Sequence, residues 1–398
     1  MDEIENLLTR GVDTIYPSKL ELEKVLRSGK KIKLYQGFDP TGTDLHIGHM
    51  IGLRKLAQWQ KAGHKVIFLI GTGTGQAGDP SGKLSSRDKF FSEEELKQNA
   101  KDYVMQAKKL LDFEGENAVE ILYNGDWLNK LGLKDILEIL GHITHQQLIE
   151  RDMFQERIKQ NADINMREFF YPVLQGYDSV EMEVDLELGG RDQTFNMLVG
   201  RKLLKAMKGK EKFVMTTPLL EDSQGRKIGK SEGNVMGLTD DPSVLYGKIM
   251  SLSDDVIVKA LEYLTDVPMG EIKEIEEKIK SGENPIIFKK RLAYEIVKQL
   301  NSEEEAISAE SSFKSVVQDK QLPDDIAALE FPNGKTVSSI LLEKGLISSV
   351  SEWKRLVEQH GVFMNDTKID NPFMRNDELF DGGILKIGKR NYVKIKKS

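Results

Sequence analysis

The sequence predicts an α/β chain. A parallel sheet flanked by helices fills roughly the first 220 residues, a helical segment follows, and a small mixed unit ends the chain. Three observations lead there. Short apolar runs alternate with amphipathic stretches over the first part. From roughly 235 to 315 the pattern turns helical and rich in Glu and Lys, without clear strands. A loose stretch, Gln318-Asp319-Lys320-Gln321-Leu322-Pro323-Asp324-Asp325, then reads as a linker.

In chain order, Lys33-Leu34-Tyr35, Val66-Ile67-Phe68-Leu69-Ile70 and Val119-Glu120-Ile121-Leu122-Tyr123 read as short buried strands. Helical patterns over roughly 48–62 and 92–111 separate them. Strands joined through helices run parallel with right-handed crossovers. Ligands on such sheets sit at the carboxyl ends of the strands, where Tyr35, Gly71 and Asn124 fall. Leu252-Ser253-Asp254-Asp255 and Asn301-Ser302-Glu303-Glu304-Glu305 read as helix starts, because a serine precedes acidic residues in each. The last unit has helical patterns around 336–343 and 350–359, then short strands ending in Leu385-Lys386-Ile387-Gly388-Lys389-Arg390-Asn391-Tyr392-Val393-Lys394-Ile395. No internal repeat or low-complexity tract is evident.

A chain of 398 residues predicts two or three domains. With 39% hydrophobic and 30% charged residues, it has the composition of a soluble globular protein. No apolar run approaches the ~20 residues that cross a membrane. The start, Met-Asp-Glu-Ile-Glu-Asn, lacks the basic and apolar regions of a secretory leader. The absence of cysteine excludes disulfides, Cys-based zinc sites and thiol chemistry. A cytoplasmic location is expected. The net charge of −7 hides an asymmetry: residues 331–398 hold 12 Lys/Arg against 8 Asp/Glu, a net +4, and the rest carries −11. A basic end on an acidic body fits an anionic partner such as nucleic acid, or a solvated surface with a chance bias.

The segment Tyr35-Gln36-Gly37-Phe38-Asp39-Pro40-Thr41-Gly42-Thr43-Asp44-Leu45-His46-Ile47-Gly48-His49 runs from a strand through a turn into a helix start. Free N–H groups and the helix dipole attract phosphate there. His46 and His49, three residues apart, lie on one face of the first turn and reach the same phosphate. Alone, the pair also fits a structural role. A metal centre is a poor alternative, because six histidines without cysteine leave no third ligand at suggestive spacing.

Gly71-Thr72-Gly73-Thr74-Gly75-Gln76-Ala77-Gly78-Asp79-Pro80-Ser81-Gly82-Lys83 follows a strand, and its glycines permit close ligand approach. It matches neither the dinucleotide fingerprint nor the P-loop; a flexible connection is the plain alternative. Tyr171, Gln175 and Asp178, spaced four and three apart, share one helix face. A phenol, an amide and a carboxylate there suit a small ligand bearing an ammonium and a hydroxyl. Gly189-Gly190-Arg191-Asp192-Gln193 opens another helix. Lys227-Ile228-Gly229-Lys230-Ser231 supplies two lysines on a polar loop, able to close over a triphosphate or simply solvated.

In this order and spacing, these motifs resemble the class I aminoacyl-tRNA synthetases, and within them the bacterial-type tyrosyl-tRNA synthetase family. The resemblance extends through Asn124-Gly125-Asp126-Trp127, Tyr171-Pro172-Val173-Leu174-Gln175-Gly176-Tyr177-Asp178-Ser179 and Glu187-Leu188-Gly189-Gly190. It continues through Lys344-Gly345-Leu346-Ile347-Ser348, Gly361-Val362-Phe363-Met364-Asn365 and Gly388-Lys389-Arg390. It implies a Rossmann-like catalytic domain over 1–230, a helical anticodon-side domain over 231–317, a linker over 318–334 and an S4-like RNA-binding domain over 335–398. It also implies a homodimer with its interface near the helices of 125–185.

The implied reaction joins tyrosine to ATP as tyrosyl-adenylate, with Mg²⁺ accompanying ATP, and then passes the tyrosyl group to the 3′ end of tRNA(Tyr). By the family pattern, Thr41 and His46 contact the phosphates and His49 helps hold the nucleotide. Asp39, Gly48, Gly190 and Asp192 line the ATP site. Lys227 and Lys230 close over pyrophosphate with Lys83 and Arg87. Tyr35 and Asp178 face the substrate phenol, Asp79, Tyr171 and Gln175 its ammonium, and Gln193 its carboxylate.

Three departures stand out. The lysine motif reads Lys-Ile-Gly-Lys-Ser where the class pattern is Lys-Met-Ser-Lys-Ser. Arg191 replaces a small Ser or Thr, where it either crowds the site or adds charge near phosphate. Gln36 replaces a small residue and bears on ribose contacts. No inserted editing domain is evident. Two further readings are a synthetase-derived RNA-binding protein without catalysis and the tryptophan-specific sister enzyme. Thr41, both histidines and both loop lysines weigh against the first; Tyr35 and Asp178 weigh against the second, since an indole matches them poorly.

Overall fold

A computed structural model describes residues 2–42, 44–81, 90–228, 235–315, 328–332, 335–365, 367–375, 378–380, 382–388 and 391–397. The chain forms two compact units, Met1–Ala309 and Glu310–Ser398.

The first unit holds a six-stranded sheet of β1 (Thr14–Tyr16), β2 (Lys33–Phe38), β3 (Lys65–Ile70), β4 (Glu120–Tyr123), β5 (Leu186–Gly190) and β6 (Phe213–Thr217). Its order is β1-β6-β5-β2-β3-β4. Every pairing is parallel except that of the edge strand β1 with β6. The chain therefore winds outward from β2 to β4, then returns to β5 and β6 on the other side of β2. The winding reverses between β2 and β5, which opens a crevice beyond their carboxyl ends.

Val66 to Ile70 are all buried, as expected of a parallel strand covered on both faces. β2 runs three residues past the end predicted from Lys33-Leu34-Tyr35. Gln36 and Gly37 interrupt the apolar run, but β3 pairs with the strand from Lys33 to Phe38 and so holds them extended. Tyr35 consequently lies inside the strand, not at its end. The sequence pattern did not reveal β1, which is only three residues long.

The helix Ile47–Lys61 lies close to the span predicted, with Leu53, Leu56 and Trp59 buried. Between 235 and 313 the described elements are helical: Pro242–Met250, Ile257–Leu264, Met269–Lys280, Pro285–Leu300 and Glu303–Phe313, with a 3-10 turn at Asp254–Val256. Asp241 caps the first, accepting from the N–H groups of Ser243 and Val244. Ser302 Oγ accepts from Glu305 N at 3.2 Å, so that predicted helix start forms a real cap. Two cations from the sheet side reach this segment. Arg10 Nη2 and Arg54 Nη2 each donate to Thr265 O at 2.6 Å, just past the end of the helix Ile257–Leu264. Cations are favoured at that end by the helix dipole.

The second unit is a five-stranded sheet ordered β7 (Ala328–Phe331), β11 (Asn391–Lys397), β10 (Ile384–Ile387), β8 (Val362–Met364) and β9 (Thr367–Lys368). The helices Val337–Glu343 and Val350–Glu358 join it around a core of Phe331, Trp353, Leu385 and Val393. Trp353 Nε1 donates to Pro372 O at 2.8 Å. β7 falls within the stretch read as a linker; it pairs in parallel with β11, a partner more than sixty positions away in the sequence. No described helix is long and apolar enough to cross a membrane.

Candidate functional site

At the end of β2 the chain turns through Asp39-Pro40-Thr41, with Thr41 N donating to Asp39 O at 2.7 Å. The Asp39 carboxylate accepts from Thr74 Oγ1 at 2.6 Å and from the Tyr171 hydroxyl at 2.8 Å. Gly71 permits this, since a Cβ there would lie 1.8 Å from Asp39 Oδ1. His46 is the N-cap of the next helix, and its Nδ1 accepts from Gly48 N at 3.1 Å. His49 Nδ1 accepts in turn from His46 N at 3.1 Å. The two rings stand 3.9 Å apart at the mouth of the crevice, together as predicted. They also cap the helix themselves, because each imidazole satisfies a backbone N–H of the first turn.

Tyr171, Gln175 and Asp178 project from one face of the helix Met166–Met182. Asp178 is 1% exposed, and its carboxylate accepts from Asn124 Nδ2 at 3.0 Å and Trp127 Nε1 at 2.8 Å. Burial pushes its carboxyl well above the usual range, while these two donors pull it back. Asn124 also donates to Thr74 Oγ1 at 2.9 Å, which links Asp178 to Asp39. Burial and nearby carboxylates likewise raise the phenols of Tyr35 and Tyr171, so both stay protonated as donors. The Tyr35 hydroxyl lies 3.0 Å from Ser179 Oγ.

A second run of polar contacts crosses from β3 to β5. Gln193 Nε2 donates to Asp79 Oδ2 at 2.9 Å, and Asn196 Nδ2 bridges Gln193 Oε1 and Gln175 Oε1 at 2.8 and 2.9 Å. Gln175 Nε2 donates to Glu187 Oε1 at 3.1 Å. The six groups Asp39, Asp79, Tyr171, Gln175, Asp178 and Gln193 thus belong to two hydrogen-bonded runs.

Farther along the chain, Gly190 ends β5 and Asp192 follows it in a 3-10 turn. Lys227 Nζ pairs with Asp192 Oδ2 at 2.9 Å, which draws the lysine motif to the Gly-Gly-Arg-Asp-Gln segment. Ile47 N donates to Met236 O and Leu238 N to Leu45 O, both at 3.0 Å, so the chain after that motif is clamped to the helix start. Arg191 is exposed and pairs with Glu221 at 2.9 Å, and Glu221 in turn forms a β-bridge with Lys227. Lys83, Arg87 and Lys230 lie outside the described residues.

Sequence reasoning gave Thr74, Asn196 and Lys212 no role, quoted Glu187 and Trp127 only within motifs, and placed Asn124 at a ligand-binding strand end without naming its contact. One signal was available: Glu187 is an acid inside the apolar strand Leu186-Glu187-Leu188, and such a charge needs a partner.

A family model for class I tRNA synthetases (W and Y) matches residues 27–318. The chain is 39% identical over 389 residues to a tyrosine–tRNA ligase of Mannheimia succiniciproducens, covering 98% of this chain and 97% of that one. It is 39% identical over 398 residues to one from Thermotoga maritima, covering 99% and 97%. Among solved structures, a C-terminally truncated mitochondrial tyrosyl-tRNA synthetase of Aspergillus nidulans superposes with a TM-score of 0.66. The identity there is 25%, over 79% of this chain and 94% of that one.

Proposed function

The chain belongs to the class I tRNA synthetases of the W and Y type, and from that premise we propose that it is a cytoplasmic tyrosine–tRNA ligase. The observation that carries this reading is the set of hydrogen-bonded polar groups beyond the carboxyl ends of the parallel strands. It includes a buried carboxylate, Asp178, and shares Asp39 with the turn that leads to the helix start bearing His46 and His49.

Tyrosine enters with its phenol toward Asp178 and Tyr35. Asp79, Tyr171 and Gln175 face its ammonium, and Gln193 its carboxylate. ATP, arriving as its Mg²⁺ complex, lies over Gly48, Gly190 and Asp192 beside Asp39. A tyrosine carboxylate oxygen attacks the α-phosphorus, and pyrophosphate leaves. Thr41, His46 and His49 stabilise charge building on the phosphates, and the cations Lys227, Lys230, Lys83 and Arg87 receive pyrophosphate. A ribose hydroxyl at the 3′ end of tRNA then attacks the tyrosyl carbonyl and releases AMP. Lys227 must exchange Asp192 for phosphate. That exchange is cheap, since an exposed ion pair contributes at most about 1 kcal/mol.

The test is amino-acid-dependent ATP–pyrophosphate exchange with tyrosine, phenylalanine and tryptophan side by side. Exchange with tyrosine alone supports the reading. Preference for tryptophan, or no exchange by folded protein, overturns it.

Two partners belong to the same reading. Ile136 lines an apolar cavity of about 540 Å³ with Ile139, Leu140 and Phe170, and Leu133 and Leu137 of the same helix, Leu133–Leu140, are exposed. This apolar face suits a second copy of the chain. Leu137→Asp is expected to halve the mass in sedimentation, and a monomeric wild-type protein would refute the dimer. The separate C-terminal unit suits an S4-like role in holding tRNA. Deleting residues 331–398 is expected to leave exchange intact while cutting tRNA charging at least tenfold by weakening phosphate contacts. Equal loss of both activities would count against that division.

A further inference from the structure

Next to Gln175 and Ser179 lies a buried ion pair that the proposed reaction does not use. Glu187 is 2% exposed and Lys212 1%. Lys212 Nζ contacts Glu187 Oε2 and donates to Ser179 Oγ at 2.5 Å. Ser179 Oγ lies 3.3 Å from the same carboxylate and 3.0 Å from the Tyr35 hydroxyl. Glycine at position 200 leaves room for the ammonium, since a Cβ there would lie 2.7 Å from Lys212 Nζ. A pair so deep is costly to keep, and one partner without the other is costlier.

The consequence lies in the amide of Gln175. An ionised carboxylate only accepts hydrogen bonds. Glu187 therefore obliges Gln175 to present Nε2 to it, which turns Gln175 Oε1 away, toward Asn196. That oxygen keeps a second lone pair for a donor in the pocket. Lys212 Nζ and Ser179 Oγ both donate to Glu187 Oε2, which leaves Oε1 to accept from Gln175; the surrounding charged or titratable groups are Tyr35 and Asp178, with Arg201 facing Lys212. We propose that Glu187, supported by Lys212, is a positioning residue for amino-acid recognition: it fixes the Gln175 amide with its oxygen toward the substrate ammonium. This rests on the tyrosine reading of the pocket.

Replacing Glu187 by glutamine gives Gln175 a partner that donates as well as accepts, so its amide is free to turn. The experiment compares calorimetric binding of tyrosine with that of 3-(4-hydroxyphenyl)propionate, which lacks only the ammonium. Because Glu187→Gln alone strands Lys212, the double variant Glu187→Gln/Lys212→Met is measured beside it, with thermal melting as a check of folding. The expected result is a tyrosine Kd raised about tenfold, the equivalent of one hydrogen bond, with the propionate bound as in wild type. Equal loss for both ligands, or no loss for tyrosine, in a folded variant overturns the assignment. Wild-type protein that fails to bind tyrosine defeats the underlying reading, and is distinguished from failure of this inference by that control.

Discussion

Asp178→Asn is expected to collapse the preference for tyrosine over phenylalanine. The Asp178 carboxylate is buried, and two fixed donors, Asn124 Nδ2 and Trp127 Nε1, hold it in place. On the tyrosine reading, its remaining acceptor capacity is what the substrate phenol meets as a donor. Leaving a buried group without its hydrogen bond costs roughly 1–3 kcal/mol, so losing this contact should lower kcat/KM for tyrosine by roughly 5- to 150-fold. Phenylalanine makes no such bond and should be activated as before. Asp178→Ala should do the same to recognition at a larger cost in stability, because it strands both donors. The measurement is the ratio of exchange rates with the two amino acids. A ratio equal to that of wild type would remove Asp178 from recognition.

The second large effect is at His46, where two roles overlap. As the N-cap its ring accepts from Gly48 N, and an N-cap contributes about 1 kcal/mol. As a donor to a developing phosphate charge it would lower the barrier to adenylate formation, typically by 10²- to 10³-fold in rate for one such group. His46→Ala removes both. His46→Ser restores a capping oxygen without the imidazole. Melting temperature should therefore recover in the serine variant while single-turnover adenylate formation stays slow. Recovery of both in the serine variant would make the imidazole a cap and nothing more.

Much of this architecture was legible because its signals are local. Helical periodicity placed Ile47–Lys61 and put Tyr171, Gln175 and Asp178 on one face. A run of five apolar residues marked β3. What escaped depends on partners distant in sequence. β2 is extended past Tyr35 because β3 pairs with it, and β7 forms because β11 lies beside it. Lys227 meets Asp192 across thirty-five positions, and Arg191 turns toward Glu221 across thirty. Neither pairing follows from local spacing. Glu187 was visible as an anomaly, a charge in a strand, but its partner Lys212 was not.

The grip of Arg10 and Arg54 on Thr265 bears on modularity. Both guanidinium groups are buried, and Arg54 also pairs with Asp266 at 2.7 Å. The sheet domain therefore completes its own polar interior with acceptors from the helical segment. A chain cut near residue 230 would carry two cations stripped of their carbonyls, so excision there should damage the remaining fragment as well as remove a part. The helices from Pro242 to Leu300 lie in the same compact unit as the sheet and are expected to unfold with it.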